Sequence, residues 1–286
     1  MFEIYQHLFS AGLVQGLVLG LIALGTMIPF RILNLPDLTP EGTFPFGGAF
    51  CAMLLLQGVH PLAATLLAML AGGLVGMGTA QIYLRLKINT LLAGIILSAM
   101  LYSLNLRFMG KPNLALFNVT SIFSYFDNQT LWSKIFILFI LNIFCMLGFI
   151  WFLGTEKGLR LRTTGLNTLF AEKQGVCVSA YVSLGLFLGN SLASLAGALM
   201  VQNQKYADVN MGVGIVIHSL AAIMIGESLI QAQSIKSIVL APILGALVYQ
   251  QIQGLAISFG LAPSDLKLVT GGIVLLTLAY RQWRHS

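Results

Sequence analysis

The stretch that decides the fold is Leu8 to Phe30, LFSAGLVQGLVLGLIALGTMIPF, in which no residue carries a charge. A helix needs about 20 apolar residues to cross the ~30 Å hydrocarbon core of a bilayer, and this stretch is long enough. It is longer than the apolar part of a secretory signal peptide and has no basic start, because Glu3 is the one charge before it. We therefore expect it to stay in the mature protein as a membrane span.

Apolar runs of this kind recur along the chain. They occupy residues 62–84, 88–106, 134–156, 178–204, 213–226, 238–260 and 268–280, with a shorter run after Pro45. Their polarity does not alternate, so the spans are helices rather than the strands of a barrel. The whole composition agrees, because 57% of residues are hydrophobic and only 8% are charged. The sequence predicts an all-α polytopic membrane protein with about 8–10 transmembrane helices.

The basic residues indicate orientation. The formal net charge is +6, but Lys and Arg lie at the ends of the apolar runs instead of forming a patch with interleaved aromatics. Nucleic acid is therefore not an expected partner. Cytoplasmic loops are enriched in Lys and Arg, and the longest basic connection is 155–178, while Arg281 and Arg284 lie in the tail. We expect this loop and the C-terminus to be cytoplasmic.

Two stretches interrupt the pattern of plain helices. In Arg31–Gly48, three prolines each remove a backbone donor and three glycines loosen the chain, so no continuous helix is expected. The second stretch, Lys205–Gly214, precedes an apolar run that is short for a full span. Interrupted segments in corresponding positions, here around Asp37 and Asp208, point to an inverted repeat with a transport pathway between its halves. The Asp37 stretch could be re-entrant or a loop.

Catalytic and nucleotide-binding patterns are missing from the sequence. It has no Gly-x4-Gly-Lys-Ser/Thr, no His-Glu-x-x-His and no Gly-x-Ser-x-Gly. Its three cysteines lack a metal-binding or redox spacing, and the lone His218 within an apolar run is expected to bond to a neighbouring helix. We expect no enzyme activity, no metal and no cofactor in this chain. Few carboxylates lie within the spans, so energy for transport should come from another subunit.

Three stretches carry a resemblance to a known family. They are FRILNLPDLTPEGTFPFGG at 30–48, NTLLAGIIL at 89–97 with LYSLNLRFMGKPN at 101–113, and GLRLRTTGLNTLFAEKQG at 158–175, continuing to YADVNMGVG at 206–214 and IGESL at 225–229. The chain resembles the permease subunits of bacterial ABC importers of the branched-chain amino acid and monosaccharide type. The likeness is strongest to the amino-acid branch related to tryptophan importers, and it covers residues 8–280.

The resemblance implies a set of partners. Such permeases work as homodimers in the bacterial inner membrane, with an ABC ATPase that binds the ATP and an external or periplasmic solute-binding protein. The loop at 158–175 corresponds to the helix that couples the permease to its ATPase. There, Asn167 or Thr168 can cap a short helix, Leu169 and Phe170 can anchor it, and Gly175 can end it. The coupling residues predicted in this way are Arg162, Gly165, Asn167, Leu169, Phe170, Ala171 and Gly175.

The predicted pathway residues come from the two interruptions. They are Asn34, Asp37, Thr39, Glu41, Asp208 and Asn210. We expect one transmembrane domain over residues 1–286, with halves at 8–110 and 134–281 and the coupling loop at 155–178. The predicted function is inward movement of a small solute, with an amino acid favoured by the resemblance. An ion-coupled secondary transporter or channel that uses Asp37 and Glu41 is the alternative.

Overall fold

The computed structural model describes residues 2–125, 131–230 and 234–258, and the single positions 260, 265, 268, 271 and 272. Helices dominate these ranges: α1 (Phe2–Met27), α2 (Pro40–Leu56), α3 (Pro61–Leu86), α4 (Thr90–Met109), α5 (Leu131–Gly154), α6 (Glu156–Leu166), α7 (Thr168–Lys173), α8 (Val178–Gln204), α9 (Ile215–Ile230) and α10 (Ile235–Ser258). Two short strands, β1 (Asn113–Ala115) and β2 (Tyr206–Asp208), pair antiparallel.

Six helices in the described ranges are long and apolar enough to cross a membrane. They are Phe9–Ile32, Pro61–Leu86, Thr90–Met109, Leu131–Gly154, Val178–Gln204 and Ile235–Ser258. The predicted all-α polytopic membrane fold is therefore confirmed. Helices α2 and α9 have 17 and 16 residues, fewer than the about 20 of a typical crossing helix. The predicted span at 268–280 falls outside the continuously described ranges.

The first interruption is shorter than the prolines suggested. Helix α1 passes into a π-helical turn, Ile28–Ile32, and residues 33–39 are not helical, but α2 then runs unbroken from Pro40. Proline is well tolerated at the start of a helix, where its missing N–H would have had no helical partner. Position 47 of this helix requires glycine, because a Cβ there would overlap the backbone oxygen of Ser194. The glycines of this stretch therefore serve close packing rather than chain flexibility.

The described chain forms two compact units. The larger comprises Leu24–Asp127 and Trp151–Val216, and the smaller comprises Met1–Ala23, Asn128–Ile150 and Ile217–Ser286. In the larger unit, α3 packs directly on α8: a Cβ at Gly72 would overlap Ser194, and one at Gly76 would overlap the Leu186 carbonyl. Glycine at these two positions therefore allows the two helices to approach closely.

The smaller unit is also held together by close helix packing at glycine, and in addition by polar contacts. Gly16 of α1 faces α10, where a Cβ would lie 3.2 Å from Leu247 Cδ2. Asn142 Nδ2 in α5 donates to the Leu17 carbonyl at 3.1 Å. His218 Nδ1 and the Tyr249 hydroxyl, on α9 and α10, are 3.1 Å apart. As predicted, His218 is hydrogen-bonded by a neighbouring helix.

Candidate functional site

The non-helical residues after α1 are attached to α6. Asn34 adopts a positive φ of 53°, which asparagine tolerates better than most residues, and its Nδ2 donates to the Gly165 carbonyl at 3.0 Å. A Cβ at Gly165 would overlap the Ile32 backbone oxygen, so the two segments touch through their main chains. Asn34, predicted to lie on the pathway, and Gly165, predicted to act in coupling, therefore meet in one contact.

Asp37 is fully buried and accepts several hydrogen bonds. The Thr39 backbone N–H donates to Asp37 Oδ1 at 2.9 Å, and the Thr39 hydroxyl donates to the same oxygen. Asn190 Nδ2, from the middle of α8, donates to Asp37 Oδ2 at 3.0 Å. A buried carboxylate is tolerated when such donors compensate its lost hydration. Both carboxylate oxygens are thus engaged within the protein.

Threonines extend this cluster to three helices. The Thr39 and Thr79 hydroxyls are 2.8 Å apart, which ties the start of α2 to α3. Thr43 donates its hydroxyl to Asn190 Oδ1 at 2.9 Å. Together with Asp37, these groups form a polar cluster that is buried and internally bonded. Asp37 and Thr39, predicted as pathway residues, are thus fully buried here and join α2, α3 and α8.

An open cleft lies beside this cluster in the larger unit. Its volume is about 380 Å³, within the range of small-molecule sites. Its lining includes Glu41 and Pro45 from α2, Ser98, Tyr102 and Asn105 from α4, and Asn210 from the connection before α9. The predicted pathway residues Glu41 and Asn210 thus lie in one cleft, although they are far apart in sequence.

Glu41 lies where the two short helices begin. It occupies the first turn of α2, and its carboxylate accepts a hydrogen bond from the Gly214 N–H, immediately before α9. A Cβ at Gly212 would overlap the Glu41 carbonyl. The N-terminal end of a helix carries partial positive charge, which favours a carboxylate there. The N-termini of the two short helices therefore meet at Glu41.

Asn105 was missed by the sequence analysis. Its side chain lies in the wall of the cleft, is 1% exposed, and has neither amide atom hydrogen-bonded. The signal was present: Ser98, Tyr102 and Asn105 are spaced four and three residues apart, which places them on one face of α4. This polar stripe on a mostly apolar helix could have identified Asn105 as part of a polar surface.

Asp208, the pathway residue predicted from the second interruption, lies at the end of a strand. It ends β2 opposite Asn113, whose Nδ2 is 3.5 Å from Asp208 Oδ2, and Asp208 Oδ1 accepts from the Asn210 N–H at 2.6 Å. The carboxylate shapes the turn that follows the strand. Asp37 and Asp208 have separate partners, and it is Asn210 that reaches the cleft.

The predicted coupling loop contains the short helix α7, which Asn167 precedes and Gly175 follows, as the sequence predicts. Asn167 Oδ1 caps α7 by accepting from the Phe170 N–H at 2.9 Å, and Gly175 follows with φ +76°. Leu169 and Phe170 are 70% and 53% exposed, whereas Ala171 is fully buried. Ala171 therefore attaches α7 to the protein, while two large apolar side chains point outward. Arg162 lies half-buried in α6.

The sequence of the chain matches a known family over nearly its whole length. The family model described as branched-chain amino acid transport system, permease component, matches residues 8–279. A tyrosine transport system permease protein from Clostridioides difficile (strain R20291) is 35% identical over 93% of this chain and 89% of its own length. An uncharacterized protein from Rickettsia prowazekii (strain Madrid E) is 32% identical over 96% of this chain and 98% of its own. No solved structure matches the chain. With nearly its whole length matched, this chain belongs to the family of branched-chain amino acid transport system permease components, and so is a multi-pass transport protein rather than an enzyme.

Proposed function

We propose that this permease is the membrane-spanning subunit of an ABC importer that moves an amino acid inward. A partner ATPase binds and hydrolyses the ATP, an external solute-binding protein delivers the amino acid, and two copies of the chain form the transport unit. The complex resides in the bacterial inner membrane, with α6, α7 and the C-terminus on the cytoplasmic side.

The observation that carries this proposal is the exposure of Leu169 and Phe170 on a capped helix. Two large apolar side chains in water are costly unless a partner covers them. An amphipathic helix that inserts apolar residues into a groove is a common mode of recognition between proteins. Since α7 lies in the most basic connection of the chain, where a cytoplasmic partner would meet it, an ATPase is the occupant that we propose.

The bonding of Asp37 favours ATP over an ion gradient as the energy source. A carboxylate that couples ions to transport has to exchange its ligands with water or ions in the pathway. Asp37 is fully buried and bonded to Thr39 and Asn190, which leaves no such access in this conformation. The alternative, an ion-coupled transporter, would then depend on Glu41.

The amino-acid substrate is supported by the named relative. The C. difficile protein is described as a tyrosine transport permease and aligns over most of both chains. The walls of the cleft include Pro45, Ile95 and Val209, which suit an apolar or aromatic side chain. Tyrosine and tryptophan are therefore the first solutes to test.

Reconstitution tests the proposal. The permease is purified with the ATPase that co-purifies with it, placed in liposomes, and supplied with binding protein and labelled tyrosine, tryptophan, leucine or ribose. Uptake of an amino acid that requires ATP and the binding protein is expected. Uptake that continues without ATP but stops when a proton gradient is dissipated would favour the ion-coupled alternative. Preferential uptake of ribose would refute the amino-acid assignment.

A further inference from the structure

The strongest unexplained feature is the pair of polar groups in the cleft. Asn105 is buried in its wall with both amide atoms unbonded, and an amide left in that state destabilises a protein unless a partner satisfies it. Glu41 uses its carboxylate for one backbone N–H, although a carboxylate has about four acceptor positions. Both residues line the same cleft, and both retain hydrogen-bonding capacity there.

The charge of the cleft selects among solutes. Glu41 is its acidic group, and no Lys, Arg or His is found among the described residues that line it. A negative site without a basic partner attracts a cationic group and disfavours a solute with net negative charge. Neutral donors such as the Asn105 amide can still bind a carboxylate when the same solute also carries an ammonium group.

The remaining surface of the cleft is apolar. Pro45, Ile95, Ala99, Val209 and Val213 contribute to it, while Tyr102 is exposed at its opening. Hydrocarbon of a lipid would leave Asn105 without a polar partner and Glu41 with the Gly214 N–H alone, which is unfavourable within a membrane. A solute with a polar end and an apolar side chain meets both kinds of surface.

From these features we propose that the cleft is the solute-contact site of the permease, with Glu41 binding the α-ammonium group and Asn105 the α-carboxylate of a zwitterionic amino acid. This inference rests on the proposed function and specifies where and how the permease touches its solute. Apolar and aromatic amino acids bind here, and acidic amino acids are disfavoured. Asn105 and Glu41 together thus provide selectivity in the permease beyond that of the binding protein.

Two substitutions and a control test the site. Glu41→Gln keeps the shape and removes the charge, and Asn105→Leu keeps the branched shape and removes the amide. Ser103→Ala is the control, since Ser103 is exposed on α4 and lies outside the cleft lining. In the reconstituted complex, tyrosine uptake should fall at least about tenfold for the first two and stay unchanged for the control. If Asn105→Leu does not fold, Asn105→Ser replaces it.

A binding measurement separates solute contact from a structural role. Labelled tyrosine is dialysed against the permease in nanodiscs, with tyrosine methyl ester and the deaminated analogue of tyrosine as competitors. For the wild type, the ester should compete and the deaminated analogue should not, because Glu41 binds the ammonium group. Glu41→Gln should reduce this discrimination. Equal discrimination by the wild type and Glu41→Gln would overturn the assignment.

The two proposals fail in different ways. A wild-type complex that takes up no amino acid refutes the proposed function. A wild-type complex that takes up tyrosine, together with wild-type rates for both Glu41→Gln and Asn105→Leu, refutes the solute-contact site and leaves the proposed function standing.

Discussion

Asn190 Nδ2 lies 3.0 Å from Asp37 Oδ2 and donates a hydrogen bond to it, joining α8 to the residues before α2 across 153 positions of sequence. The same amide accepts from the Thr43 hydroxyl through its oxygen. One side chain thus uses both of its functions to hold a short helix against a long one.

Removing either partner should destabilise the protein, because the other is left buried without compensation. Asp37→Ala and Asn190→Ala should each lower the free energy of unfolding by about 1–3 kcal/mol, measured by detergent-induced unfolding of the purified protein. The loss of unfolding free energy in the double variant should be smaller than the sum of the two single losses, by about 0.5–3 kcal/mol. Asn203→Ala, on the same helix and only half-buried, is the control. Strictly additive losses would show that the two side chains do not interact.

The contact between α6 and the end of the π-helical turn leaves no room for a methyl group. Gly165→Ala would place a Cβ against the Ile32 carbonyl and 2.7 Å from Leu33 Cα, so the two segments should separate. We expect loss of transport with the permease still inserted in the membrane. Gly154→Ala is the matched control, since no heavy atom lies within 4 Å of a Cβ there. Normal uptake by the Gly165 variant would show that this contact is dispensable.

Phe170 should matter for assembly rather than for folding. Because its side chain is largely exposed, Phe170→Asp should leave insertion and thermal stability unchanged but prevent co-purification of the ATPase. Gln174→Asp, an exposed position in the same segment, introduces the same charge and should assemble normally. Retention of the ATPase by Phe170→Asp would remove α7 from the interface.

The environment of the Cys177 thiol should make it unusually reactive. Its Sγ is 3.4 Å from Ser179 Oγ, and this hydrogen bond, with the Ala180 backbone, lowers the pKa of the thiol. A lowered pKa means more thiolate at neutral pH, so maleimide should react faster with Cys177 than with an ordinary thiol. When the pH is lowered, the reaction rate of Cys177 with maleimide should begin to fall at a lower pH than the rate of an ordinary thiol does. Ser179→Ala should raise the pKa and slow the reaction at pH 7.

The same cysteine reports the side of the membrane. An impermeant maleimide should label exposed Cys177 in inverted vesicles and not in intact cells, whereas an introduced Asn118→Cys should show the reverse pattern. Cys177→Ser is the control for labelling at Cys51 and Cys145. Labelling of Cys177 in intact cells would contradict the proposed orientation.

The parts of the fold that depend on apolar length could be predicted from the sequence. Long uncharged runs correspond to α1, α3, α4, α5, α8 and α10. The short helix α7 could be predicted as well, because Asn167 and Gly175 are local signals that act within a few residues. The extent of α2 could not, since Pro40, Pro45 and its glycines read locally as breakers. Packing against Ser194 and Gly197, which are distant in sequence, determines that helix.

The candidate site, too, could be predicted from the sequence only in part. Glu41 and Asn210 were predicted from the two interruptions, and they line one cleft. Asp37 is engaged by Asn190, and no local pattern indicates which distant amide will meet a given carboxylate. Asn105 was overlooked because a single amide within an apolar span looks like a packing residue. Its significance depends on the cavity beside it and on its lack of partners.

The contact of α3 with α8 through Gly72 and Gly76 has a mechanical consequence. Gly76 meets the Leu186 backbone oxygen and Gly72 meets the small Ser194 side chain, and close-packed interiors of this kind are nearly incompressible. We therefore expect these two helices to move together. Flexing within the larger unit should then occur at non-helical joints, among them residues 33–39, which precede α2, and 209–214, which precede α9. Each joint adjoins the cleft or its polar neighbours, so bending at either one would reshape the space around Glu41.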